Sequence, residues 1–303
     1  MREKRTLNDL WYFSETFEID MLEDNYDFSF MEKVRIPHTF VVTPFNSFDE
    51  SLYQKDAIYL RDIYGESTWK NKNVFFECMG AGHKTEVYVN GMLVYTHNCG
   101  YTSFKIDISE YLILGKKNRI ILRVNSQENL NIPPFGNVID YMTYGGIYRE
   151  VYLEICHKCH LEEIYIATDN DLGQTKQINI EGSIAEKITE DKVLMFQCEL
   201  SEYYSGNIVR KFEKRKIKNN KFVFREEIEN IELWSTNNPF LYVMNLCLYD
   251  NEKLIDNKKI RFGFRKAEFK MDGFYLNGIK TKIIGINRHQ SYPYIGYAAP
   301  KSI

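Results

Sequence analysis

The chain has 303 residues, 44% of them hydrophobic, which is enough for roughly two or three domains at the usual ~100 to 200 residues each. Its 39 basic and 42 acidic residues leave a formal charge of -3, so no whole-chain field favours nucleic acid or an anionic membrane surface. No stretch reaches the ~18 consecutive apolar residues of a membrane helix, and the charged start leads into Thr6 and Leu7 rather than an apolar signal core, so no membrane partner and a cytoplasmic location are expected.

Six cysteines in such a chain read as reduced thiols rather than a disulfide framework. Aromatic side chains make up 15% of the residues, a bias that suits twisted sheets because flat rings pack on pleated surfaces. Period-2 alternation recurs while sustained helical periodicity does not, so the predicted class is mainly β. The first clear element spans Thr85 to Tyr95, where two alternating runs flank Asn90-Gly91, a pair that tolerates the positive φ angles of a type I′ hairpin. Ile120, Leu122 and Val124 alternate with Ile121 and Arg123, and Val151, Leu153 and Ile155 with Tyr152 and Glu154. Each of these strands is expected to bury one face in an antiparallel sheet.

A second group of strands runs from Leu194 to Leu200, Phe222 to Phe224, Leu241 to Tyr249 and Leu254 to Arg265, at the spacing of a seven-stranded sandwich. Between Arg210 and Lys221 basic residues alternate with Phe and Ile, as on a charged hairpin. Near residue 270 the pattern changes again. Asn277-Gly278 predicts a tight turn, and the apolar run Ile283 to Ile286 predicts a short strand buried on both faces.

Some chemical motifs are weighed and set aside. Cys156-His157-Lys158-Cys159-His160 has the spacing of c-type haem attachment, but that chemistry belongs to exported proteins, and zinc would need further ligands where no second paired cluster exists. A polar inter-domain linker is the plainer reading, with metal binding by Cys156 and Cys159 left open. Gly80 to Thr85 lacks both the spacing and the following helix of a phosphate loop.

Two polar constellations remain. Asp140 stands among Tyr141, Tyr144 and Tyr148 around Gly145-Gly146, where rings could stack on a sugar face and a carboxylate could accept from its hydroxyls. The competing reading is a loop whose glycines serve backbone geometry and whose Arg149 serves a salt bridge. Asn287-Arg288-His289 ends the apolar run, as polar groups do at the mouth of a barrel strand, although a lone His is more often structural.

Taken in order, these motifs resemble the N-terminal part of glycoside hydrolase family 2, the β-galactosidase and β-glucuronidase family. The resemblance lies in residues 7–13, 34–40, 59–61, 87–91, 97–104, 145–149, 233–242, 262–265, 274–278 and 285–289, with Cys99 where the family has glycine. It implies a jelly-roll sugar-binding domain at 1–157, an immunoglobulin-like sandwich at 158–267, and at 268–303 the first strand of an incomplete (β/α)8 barrel. It also implies retaining hydrolysis of a β-glycoside by two glutamates ~5 to 5.5 Å apart. A barrel takes about 250 residues, and 17 follow Ile286. Both catalytic glutamates are therefore expected beyond Ile303, the chain is read as truncated, and its segment after residue 280 is expected to be mobile or to pair elsewhere.

Carried over residue by residue, Asp140 would hold a substrate hydroxyl and, in some members, a sodium ion. His289 would bond sugar hydroxyls as the transition state develops. Asn46 and Tyr144 are further substrate-binding candidates. The Asn287 to Gln290 wording resembles galactosidases more than glucuronidases. The implied cofactors are sodium or magnesium in a full-length enzyme, and the implied partners are a β-galactoside or related carbohydrate, the missing C-terminal barrel and a second copy of the chain. The alternative is a free-standing carbohydrate-binding or partner-docking module without hydrolase activity.

Overall fold

The computed structural model describes residues 2–23, 25–44, 46, 49–133, 141–169, 172–185, 193–217 and 220–303. Among them every regular element is a β-strand or a short 3-10 turn, and no helix is long and apolar enough to cross a membrane. The chain forms two compact units: Glu3–Ile155 joined by Asn287–Ile303, and Met1–Arg2 joined by Cys156–Ile286.

The first unit is a two-sheet sandwich. One sheet orders Glu32–Val34, Trp11–Ser14, Asp56–Tyr64, Lys117–Asn125, Lys84–Val89 and Met92–Asn98; the other orders Glu3–Thr6, Val151–His157, Lys72–Cys78 and Phe104–Asp107. Alternation places Trp11, Phe13, Tyr59, Phe76, Leu122 and Leu153 in the core, each such side chain contributing about 1.5–3 kcal/mol by leaving water. At the predicted hairpin, Asn90 and Gly91 have φ of 49° and 77°, and Val89 pairs Met92 across them.

One expectation needs correction. The strand Lys117–Asn125 buries both faces at its middle, because Ile121, with Ile58, Leu60 and Tyr88, is covered by Met21 and Met31 and flanked by Phe17, Tyr26 and Phe28. Its neighbours Asp56–Tyr64 and Lys84–Val89 shield its edges, so an apolar outer face is paired and capped rather than wetted.

The second unit stacks Leu161–Asp169, Lys176–Ile184 and Lys221–Ile228 as one sheet. The other is built on Leu194–Glu202, which pairs Ile208–Lys211 and Arg215–Lys216 on one side and Tyr242–Asp250 on the other, followed by Lys253–Phe262. Phe196, Phe224, Leu246, Leu248 and Phe264 fill the core. In the basic stretch Phe212 and Ile217 point inward while Arg210, Lys211, Arg215 and Lys216 stay exposed; the expected charged hairpin is instead an edge, since Ile208–Lys211 and Arg215–Lys216 both pair Leu194–Glu202 rather than each other.

Cys156-His157-Lys158-Cys159-His160 is not the polar linker expected, since Cys156, Cys159 and His160 are buried. The histidines serve the turn: Cys159 N donates to His157 Nδ1 at 3.1 Å, and His160 Nδ1 lies 2.9 Å from the carbonyls of His157 and Lys158. Among the described residues no group of three or more His, Cys, Asp or Glu side chains could hold a metal ion. Nearby, fully buried Asp256 accepts from Arg2 at 2.8 and 3.2 Å and from Leu161 N at 2.8 Å, so the chain start is fastened into this unit.

At the end of the unit Ala267–Lys270, Gly273–Leu276 and Ile279–Lys280 form a three-stranded antiparallel sheet, with Asn277 and Gly278 at φ of 51° and 78° in its second turn. The expected strand from Ile283 to Ile286 is absent: these residues have no regular secondary structure and no ladder partners, and Ile283, Ile284 and Ile286 are 65%, 83% and 91% exposed. A parallel strand takes its backbone bonds from neighbours, and no described strand flanks this run.

Candidate functional site

The Gly145-Gly146 turn sets the geometry of the first unit's site. Gly146 (φ 139°) pairs Thr39, and a Cβ there would fall 2.3 Å from the His38 carbonyl oxygen. Only glycine fits. Beneath the turn His38 Nδ1 lies 2.8 Å from the Tyr59 hydroxyl, and burial pulls its pKa down to about 4, so the imidazole is neutral and structural.

From both sides of the turn, and from the distant segment Asn287–Ile303, side chains converge on a cavity of about 500 Å³. Its lining takes Tyr101, Tyr141, Tyr148 and Arg149 from the earlier stretch and Arg288, His289, Tyr292 and Tyr297 from the later one. Tyr141 stacks on His289 with ring centroids 4.9 Å apart. Tyr148 meets Tyr297 edge-on at 5.6 Å and donates to the Gly100 carbonyl. Among the described residues Arg149 makes no ion pair; it donates to the Tyr101 carbonyl at 3.3 Å with its guanidinium 5.9 Å from the Tyr148 ring centre.

Burial, joined by a hydrogen bond with Tyr141, raises the Tyr101 phenol, and burial pushes Tyr297 up to about 12. Near neutral pH these hydroxyls stay protonated and act as donors and acceptors, not as bases. No carboxylate is among the described lining residues. Its described side chains can stack on and hydrogen-bond a polyhydroxylated ligand, and among them there is no carboxylate pair of the kind glycoside hydrolysis uses.

The sequence candidates fall in different places. His289 lines the cavity. Tyr144 lies behind the wall, only 9% exposed, between Tyr53 at 5.1 Å and Tyr297 at 4.7 Å. Asn46 is an exposed turn residue. Asp140 lies outside the described residues, and with it the sodium reading. Tyr101 was legible within the 97–104 motif but was not singled out, and Tyr297 carries no local signal because its role arises from contacts some 150 positions earlier in the chain.

Both sandwiches match modules of one enzyme class, the glycosidases. Residues 2–156 match the sugar binding domain of glycosyl hydrolases family 2, and residues 159–265 match a second module of glycosyl hydrolases family 2. The chain belongs to glycosyl hydrolase family 2. It is 35% identical over 307 residues to a β-galactosidase of Thermoanaerobacterium thermosulfurigenes, covering 100% of this chain and 43% of that protein. With a β-galactosidase of Thermoanaerobacter pseudethanolicus it is 33% identical over 289 residues, covering 93% and 38%. The crystal structure of Bacteroides uniformis β-glucuronidase superimposes with a TM-score of 0.88 at 25% identity, over 100% of this chain and 37% of that one. The chain thus spans less than half the length of these relatives.

Proposed function

We propose that this chain supplies the non-catalytic N-terminal modules of a retaining β-glycosidase acting on terminal β-galactosides, with acid–base and nucleophilic glutamates contributed by sequence beyond Ile303. The carrying observation is the tyrosine-lined cavity without a described carboxylate, in a chain whose most similar curated relatives include β-galactosidases of more than twice its length. In this reading His289 bonds glycone hydroxyls, Asp140 positions the substrate and can share a sodium ion, and the Tyr141 ring helps to shape the sugar subsite.

The test is hydrolysis of a nitrophenyl β-galactoside. The 303-residue chain should show no turnover above a protein-free blank, while the chain continued through a barrel should turn over and lose activity in His289→Ala. Turnover by the 303-residue chain that disappears in Asp140→Ala refutes the assignment.

A second reading is favoured by one fact: every described lining residue of the cavity belongs to a single compact unit. A free-standing carbohydrate-binding module would need nothing more. Calorimetric titration with galactose and short β-galactosides separates the two, because millimolar or tighter binding by the chain alone supports the module and its absence supports dependence on a barrel.

A further inference from the structure

The segment after Asn287 returns to the first unit as a strap, and its attachments are specific. Tyr294 N donates to the Thr43 carbonyl at 3.1 Å. Tyr292 and Gly296 exchange two backbone bonds of 3.0 Å, closing a tight turn. Gly296 in that turn has φ of 54° and lies flat on the Tyr144 ring, so that a Cβ there would come within 2.3 Å of a ring carbon. Tyr297 follows at once. Its ring is edge-on to both Tyr144 and Tyr148, and its hydroxyl donates to the Met142 carbonyl at 3.1 Å. Ala298 is buried, and Lys301 reaches the Tyr152 hydroxyl at 2.9 Å and Glu150 at 3.4 Å.

Among the described residues His289, by contrast, has one ring contact, and it is itself exposed. It stacks on Tyr141, the residue immediately before Met142. The group that faces the cavity is therefore placed by something other than its own burial: a Ser291 side-chain hydrogen bond to Tyr144 and the Tyr294 bond to Thr43 hold the strap nearby, and the Gly296-Tyr297 pair is its largest packed attachment. We infer that Tyr297 is a positioning residue: seated by Gly296 against Tyr144 and bonded to the Met142 carbonyl, it fixes the strap so that His289 stays stacked on Tyr141 at the cavity wall. The inference rests on the proposed sugar-binding role of His289 only for its consequence, not for its geometry. Tyr297 and His289 act on the same stretch of backbone, Tyr297 on Met142 from one side and His289 on Tyr141 from the other, so loosening the first weakens the second.

The test reads the imidazole directly. In a ¹H–¹³C spectrum of the full 303-residue chain, with His289 assigned by its disappearance in His289→Gln, the stacked ring shows an upfield ring-current displacement. Tyr297→Ala should move this resonance to its random-coil position, as should Gly296→Ala, which leaves the Tyr297 side chain intact but drives a methyl into the Tyr144 ring. Tyr297→Phe keeps the edge-on packing but loses the Met142 bond, so it should retain part of the displacement that Tyr297→Ala abolishes, a graded response that generic damage would not give. Far-UV dichroism of each variant reports whether the sandwich remains folded; because Gly296 lies outside every strand, Gly296→Ala decides the matter if Tyr297→Ala fails to fold. An unmoved His289 resonance in folded Gly296→Ala overturns the inference. A galactose titration on the wild-type chain is the separate arm: no sugar-dependent shift with the stack intact counts against the sugar reading and leaves the positioning role standing.

Discussion

Replacing Asp256 by Ala tests whether the chain start is a structural part of the second unit. The carboxylate is 0% exposed and accepts two guanidinium bonds from Arg2, itself only 11% exposed, plus the Leu161 amide. Removing one member of such a pair leaves the other charge in a dry site, and that costs about 3–5 kcal/mol because the partner's desolvation is no longer offset. In a unit of about 130 residues each kcal/mol moves the melting temperature by roughly 3–4 °C, so scanning calorimetry should record a fall of roughly 9–20 °C. Arg2→Ala should lower it comparably. In the double variant neither buried charge remains to be stranded, so the loss should fall short of the sum by about 1–3 kcal/mol. A shift below about 3 °C in Asp256→Ala, or strict additivity in the cycle, refutes the reasoning.

Gly146→Ala forces a methyl to 2.3 Å from the His38 carbonyl at a φ of 139° and should lower urea stability by more than about 2 kcal/mol, whereas Gly206→Ala, in open space at φ 74°, should cost no more than about 1 kcal/mol. His38 and His83 are both held near a pKa of about 4 by burial, below the unfolded value of 6.5. The unfolded chain then binds the extra protons, so the stability each neutral ring contributes is complete above pH 6.5 and is lost as pH falls toward 4, up to about 3 kcal/mol per ring. Urea titrations at pH 7 and pH 4.5 should show a smaller acid loss in His83→Gln than in the wild type. Burial pushes the Cys78 and Cys198 thiols up to about 12, while at Cys99 burial is outweighed by hydrogen bonds from Thr102 and Tyr101 and the thiol is lowered. Iodoacetamide mapped by peptide mass spectrometry should therefore label Cys99 first and leave Cys78 and Cys198 unmodified in the native protein.

The elements that could be read from sequence were those whose determinants are local. Asn90-Gly91 and Asn277-Gly278 specify their own turns through positive φ, and the alternation of Leu194 to Leu200 shows one buried face directly. Ile121 could not be placed, because its cover comes from Met21 and Met31 some ninety positions away. Leu161–Asp169 was obscured because exposed Glu162, Glu163 and Tyr165 blur the alternation on which a strand reading depends, whereas Lys176–Ile184, where buried Ile178 and Ile180 alternate with Gln177 and Asn179, carried a local signal. Ile283 to Ile286 misled for a different reason: an apolar run signals a buried strand only where neighbours exist to pair it. In the site, His289 was visible as a motif residue, while the burial of Tyr144 depends on a glycine and a tyrosine about 150 residues later.

That separation along the chain has a consequence during synthesis. Tyr144 leaves the ribosome long before Gly296 and Tyr297 exist, and all of Cys156–Ile286 must be translated in between. At ~5–20 residues per second the interval is roughly 8–30 s. For that time the sandwich that emerged first carries an uncovered aromatic face, and the second unit, though later in sequence, can complete its own fold sooner. The order in which the two units mature is thus the reverse of the order in which they begin.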